Sequence, residues 1–126
     1  MAVFYAFICG LLMQFAHSGD VPYASVEAAF ANGDAAKVVN YASDKLYLKV
    51  PDKEGVYAKS QATQILKDFF AKKPATSFKF SFKGSTADGA NATGTYVSKA
   101  ESFRVTIKWT KNGSEYEIEN ISIIKA

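Results

Sequence analysis

Cysteine and histidine are nearly missing from this chain: 126 residues hold one of each, Cys9 and His17, both within the first 18 positions. From residue 19 onward there is no imidazole base, no thiol nucleophile and no soft metal ligand. No disulfide framework can stand in for a core, so stability must come from packing. Charge bias is slight as well. Fifteen Lys and Arg face 12 Asp and Glu, a net +3 that is too small to point to nucleic acid. Proline occurs three times, at Pro22, Pro51 and Pro74, so forced breaks are few. What is present is ordinary for one globular domain: 48% hydrophobic and 21% charged residues.

The first 16 residues form an apolar stretch, and Ala16-His17-Ser18 sets small residues at the −3 and −1 positions of a cleavage site. Residues 1–18 therefore read as an export signal, although no Lys or Arg precedes the apolar run. Bulky residues before Cys9 exclude a lipoprotein signal. The run up to Gln14 is too short to span a bilayer comfortably, and no other stretch qualifies as a span. The expectation is a periplasmic or extracellular domain over residues 19–126. The alternative is a cytoplasmic protein with a retained N-terminal helix.

Val26, Ala29 and Phe30 have the spacing of a buried helical stripe, interrupted by Asn32-Gly33. Asp34 can cap a second short helix carrying Val38, Val39 and Tyr41. From Lys45 the period becomes two: Leu46, Leu48 and Val50 share one face, with Tyr47 and Lys49 on the other. Residues 51–55 read as a turn-rich loop leading to Val56-Tyr57. Ala62, Ile65, Leu66, Phe69 and Phe70 then define the clearest helix, from about Ser60 to Lys72, stopped by Pro74.

The second half alternates. Phe78, Phe80 and Phe82 face one way, and Lys79, Ser81 and Lys83 the other. Strands follow over about 91–98 and 102–110, the latter burying Phe103, Val105, Ile107 and Trp109. Asn112-Gly113 signals a hairpin. A two-residue loop there sets Trp109 opposite Tyr116, Ile107 opposite Ile118 and Lys108 opposite Glu117. Ile121 and Ile123 are out of phase with Ile118, which calls for a β-bulge near Glu119-Asn120. Helices, one strand, a helix and four antiparallel strands make an α+β domain, with helices on one face of a strongly curved antiparallel sheet.

Glu54-Gly-Val-Tyr57, Gln61-Ala62, the run from Ile65 to Lys72, Ser77-Phe78, Lys83-Gly84-Ser85, Gly94-Thr95 and Phe103-Arg104-Val105 occur in an order that resembles the small bacterial secreted family catalogued as domain of unknown function 4783. The likeness covers about residues 21–124. It implies a nuclear-transport-factor-2-like, cystatin-like cone: helices against a bent sheet, a pocket inside, and often dimerisation through the outer sheet face. Members of that superfamily include isomerases and dehydratases as well as binding modules, and the immediate family implies no activity. Relatives tend to carry Ser where this chain has Ala58, so Ser60 is expected to cap the helix instead.

A pocket in such a cone would draw on inward aromatics with polar tips: Tyr96, Trp109 and Tyr116, with Tyr47 and Tyr57 near the same edge. The plainer alternative is that these rings fill the core against Leu66, Phe69 and Phe70. Lys79, Lys83, Arg104 and Lys108 fall on the outward face and form a candidate basic surface, partly neutralised by Glu117 and Glu119. An enzyme would need a carboxylate inside the cavity. Asp52 and Glu54 are expected at a pocket rim, and Asp68 is turned away from the apolar stripe. No cofactor and no metal are expected. The leading reading is a non-catalytic exported module that binds a small molecule or peptide. Alternatives are a homodimer built on the outer face, with Thr95, Val97 and Thr106 near its centre, and a pocket enzyme of the isomerase or dehydratase type.

Overall fold

The computed structural model describes residues 20–126, and the leader expected over residues 1–18 lies outside them. The described residues form three helices, α1 (Tyr23–Ala31), α2 (Ala35–Asn40) and α3 (Lys59–Lys72), and six strands. The strands are β1 (Ala42–Val50), β2 (Lys53–Ala58), β3 (Ser77–Ser85), β4 (Gly89–Ser98), β5 (Glu101–Asn112) and β6 (Glu115–Lys125). None of the described helices is long and apolar enough to cross a membrane.

The helices follow their stripes. Val26, Ala29 and Phe30 are the buried face of α1, and Gly33 turns the chain at φ +66°. Asp34 caps α2, its carboxylate accepting the Lys37 N–H at 3.1 Å. In α3, Ala62, Leu66, Phe69 and Phe70 are buried. Its start differs from expectation: Ala58 holds the N-cap position without a side-chain hydrogen bond, and Ser60 is already inside the helix. The reason is that β2 runs straight into α3, so the pairing of Ala58 with Lys45 sets the chain direction and no loop is left for a cap.

The sheet order is β2-β1-β6-β5-β4-β3, antiparallel except for β1 beside β6. There are thus six strands, not five, and one pair is parallel. Lys53-Glu54-Gly55 carries no alternating pattern because β2 is a mostly exposed edge strand, held by its ladder to β1.

The β5–β6 hairpin turns on Gly113-Ser114, with Gly113 at φ +67° and Asn112 opposite Glu115. A glycine at the first loop position adopts that φ without strain, so the loop sits one residue later than expected. Trp109 consequently faces Ile118, Lys111 faces Tyr116, Thr110 faces Glu117 and Lys108 faces Asn120. The slip is by two residues, and the faces survive it. The expected bulge is there: pairing passes from Trp109–Ile118 to Lys108–Asn120, leaving Glu119 over.

A second bulge was not expected. Phe80 pairs with Gly94 but Phe82 with Thr93, so Ser81 is the extra residue. Beyond it the faces of β3 exchange. Phe82, expected inward, is 56% exposed, and Lys83, expected outward, sits opposite buried Ala92 on the concave side. Under the helices, Val105, Ile107, Trp109, Ile118, Ile121 and Ile123 are completely buried and form the core with Phe30, Leu66, Phe69 and Phe70.

Candidate functional site

At the centre of the concave side the cone is filled. Tyr96 is 0% exposed, stacked on Phe70 at 5.9 Å between centroids and in contact with Phe69, Phe78 and Phe103. Its hydroxyl donates to the Lys73 carbonyl at 2.5 Å, satisfying backbone at the C-terminal end of α3. Burial pushes its phenol up to about 12. The Lys73 ammonium pairs with Glu101, which also meets Lys125 at 3.1 Å. Hydrogen bonds from these two cations hold the Glu101 carboxyl below its ordinary range.

Trp109 and Tyr116 lie at the end of the concave face that carries the β3–β4 and β5–β6 turns, together with Tyr23 of α1. The Tyr23 ring meets Trp109 edge-on at 5.3 Å, and its hydroxyl donates to the Gly84 carbonyl at 3.2 Å. Burial, and secondarily the neighbouring Tyr116, raise the Tyr23 phenol. Two ammonium groups lie over these rings: Lys83 at 5.5 Å from Tyr23 and Lys111 at 5.8 Å from Tyr116. The buried Trp109 Nε1–H has no hydrogen-bond partner among the described residues. Sequence reasoning missed Tyr23, yet the signal was present: Tyr23, Val26 and Phe30 extend the helical stripe back by one turn.

The other flank of the helical layer is open. Between α3 and the β1–β2 turn lies a hollow of about 190 Å³, floored by Val50, Ile65 and Phe69. Lys53, Asp52, Asp68 and Lys72 form its rim. A contiguous groove of about 470 Å³ shares Lys53, Ile65 and Asp68 and runs along Tyr57, Gln61 and Gln64. Asp68 is therefore off the buried stripe, as its helical position requires, but it borders this opening.

Tyr47 is not near it. The residue lies on the convex face opposite Val56, and its hydroxyl bonds the Glu54 carboxylate; that bond raises its phenol. Lys79 and Arg104 also share the convex face, both opposite Thr95, and Lys108 lies further along opposite Asn91. Lys83 does not join them, because the Ser81 bulge turns it inward. Glu117 is engaged elsewhere, accepting from Ser43 Oγ at 3.2 Å and Asn112 Nδ2 at 3.3 Å, so the expected Lys108–Glu117 pairing is absent. Glu27, another residue missed, accepts the Phe80 N–H at 2.8 Å beside the bulge.

This architecture is a helix-filled cone on a bent sheet, the nuclear-transport-factor-2-like and cystatin-like fold. A solved protein whose name bears the label NTF2 shares it at a TM-score of 0.65 and 15% identity, over 80% of this chain and 91% of that one. So does a protein with a cystatin-like fold from Nostoc punctiforme, at 0.64 and 10% identity, over 81% and 71%. More specifically, the family model described as Domain of unknown function (DUF4783) matches residues 23–123, and the chain belongs to that family. A family protein from Bacteroides ovatus, solved by crystallography, is 27% identical over 85% of this chain and 96% of its own, with a TM-score of 0.79. No curated protein matches the chain.

Proposed function

We propose that this protein is an exported, non-catalytic binding module whose ligand occupies the hollow between α3 and the β1–β2 turn. One observation carries the reading: an opening of about 190 Å³ with an apolar floor and a charged rim, beside a cone centre packed solid around Tyr96. Ligand sites combine such a floor with a few polar groups that fix orientation. The rim holds both signs, Lys53 and Lys72 against Asp52 and Asp68. It suits a small molecule or peptide end with a compact apolar body and charges of both signs. The export part of the proposal rests on residues 1–18 alone.

Native mass spectrometry of the protein recovered from its own cell envelope tests both parts. A polypeptide beginning at residue 19 with a bound small molecule is expected, and Ile65→Trp, which fills the hollow, is expected to release that molecule without unfolding the domain. An unmodified N-terminus would overturn export. Recovery without any bound molecule, or retention of one by folded Ile65→Trp, would overturn the site.

A further inference from the structure

The two β-bulges act at the same end of the sheet. The one at Ser81 turns Phe82 out to the convex face, where 56% of it is exposed. Its ring lies over Gly84, where an added Cβ would come within 3.2 Å of the Phe82 ring, so the glycine leaves the ring room against the sheet. The bulge at Glu119 brings that carboxylate onto the Thr110 hydroxyl. Between them run Gly84, Asn91 and Lys108, paired in one row across β3, β4 and β5. These groups border an open groove of about 550 Å³, closed at one end by the β3–β4 turn. Bulges re-aim side chains and occur beside functional sites.

Charge and polarity in the groove disfavour two classes of ligand. Lys108 is opposed by Glu119 and by Asp88 of the turn, so an anion gains no net attraction. The amide, hydroxyl, ammonium and carboxylates would lose hydration to a purely apolar ligand without replacement bonds. A neutral ligand with one apolar face and many hydroxyls meets both conditions. We infer that this groove, formed by Phe82, Asn91, Lys108, Thr110 and Glu119, is a saccharide site. A sugar ring lays its C–H face on Phe82, and its hydroxyls bond Asn91, Lys108 and Glu119. The site is on the opposite side of the sheet from the helices and does not depend on the hollow beside α3.

The test is a ¹H–¹⁵N titration of the full chain with maltotriose, cellobiose and chitobiose in turn, each to about 10 mM, a range that reveals millimolar affinity. At least one is expected to shift the amides around Phe82, Asn91 and Lys108. Phe82→Ala is expected to weaken that binding about tenfold or more, a change of about 1.4 kcal/mol, and Phe82→Tyr to retain it. Phe82 is solvent-exposed, so the unbound spectrum of the alanine variant should match wild type elsewhere. Four results would overturn the inference: no shifts with any of the three sugars, shifts confined to the Tyr57 and Ile65 side, undiminished binding by Phe82→Ala, or a solution dimer that Phe82→Ala converts to monomer.

Discussion

The two halves of β3 follow opposite rules. Up to Phe80 the strand obeys its alternation: Phe78 is buried, stacked on Phe30 at 5.0 Å and packed over Gly94 of β4. After Ser81 the same alternation continues in the sequence but on exchanged faces, with Phe82 in solvent and Lys83 over the Tyr23 ring. One inserted residue makes one phenylalanine a core residue and its near neighbour a surface group. Equal side chains in an unbroken pattern therefore need not have equal roles, because the partner strand decides the phase.

The comparison breaks most directly through the buried half. Phe78→Ala is expected to cost about 3–5 kcal/mol in urea unfolding. A loss below about 1 kcal/mol would mean that the first half of β3 is no more anchored than the second. The two glycines sharpen the contrast. A Cβ at Gly94 would stand 2.6 Å from the Lys79 carbonyl oxygen and 2.9 Å from the Phe78 ring. Gly94→Ala should therefore cost about 1–3 kcal/mol. Gly84→Ala meets the free end of the Phe82 ring at 3.2 Å and Asn91 Oδ1 at an ordinary 3.7 Å, both movable side-chain groups, and should stay within about 0.5 kcal/mol.

Glu27 holds the joint between the halves. Glu27→Ala leaves the Phe80 N–H without its acceptor, with an expected loss of about 1–2 kcal/mol and faster hydrogen exchange at that amide. Unchanged exchange would show that the bulge stands without α1. Tyr96, the β4 neighbour of Phe78, supplies a pH test. The folded protein keeps its phenol protonated to about 12, whereas the unfolded chain releases that proton near the ordinary 10.0. This contribution is fully present below pH 10 and is lost as pH rises toward 12. Tyr96→Phe should cost about 1 kcal/mol at neutral pH and flatten that alkaline decline. An equally steep decline in the variant would place its origin elsewhere. Phe82→Ala, like Gly84→Ala, is expected to stay within about 0.5 kcal/mol, and a larger loss would mean that the exposed ring supports the fold.

Much of this was legible beforehand where a periodic stripe meets one continuous core. Ala62, Leu66, Phe69 and Phe70 are buried as their spacing requires, and Trp109, Ile107 and Val105 point inward even though the hairpin register differs by two residues. The Glu119 bulge was readable because Ile121 and Ile123 break phase with Ile118. At Ser81 no phase is broken, so the sequence carries no mark of it. Candidate site residues were the least legible. An inward aromatic can close a packed centre, as Tyr96 does, or stand beside Tyr23 with an N–H that finds no partner among the described residues, as Trp109 does, and the two look alike in a strand pattern. Tyr47 reached the convex face because its parity put it there, whatever lay near it along the chain.

By itself the amino-acid sequence determined the buried stripes of α3 and β5, where an unbroken period of apolar side chains meets one continuous core. It also determined that residues 19–126 hold no thiol or imidazole. Only the tertiary structure decided that an unpatterned edge segment becomes β2, that β3 changes faces at Ser81, and which aromatics fill space and which border openings. These outcomes depend on pairing between segments far apart in the chain, and no local pattern encodes the partner.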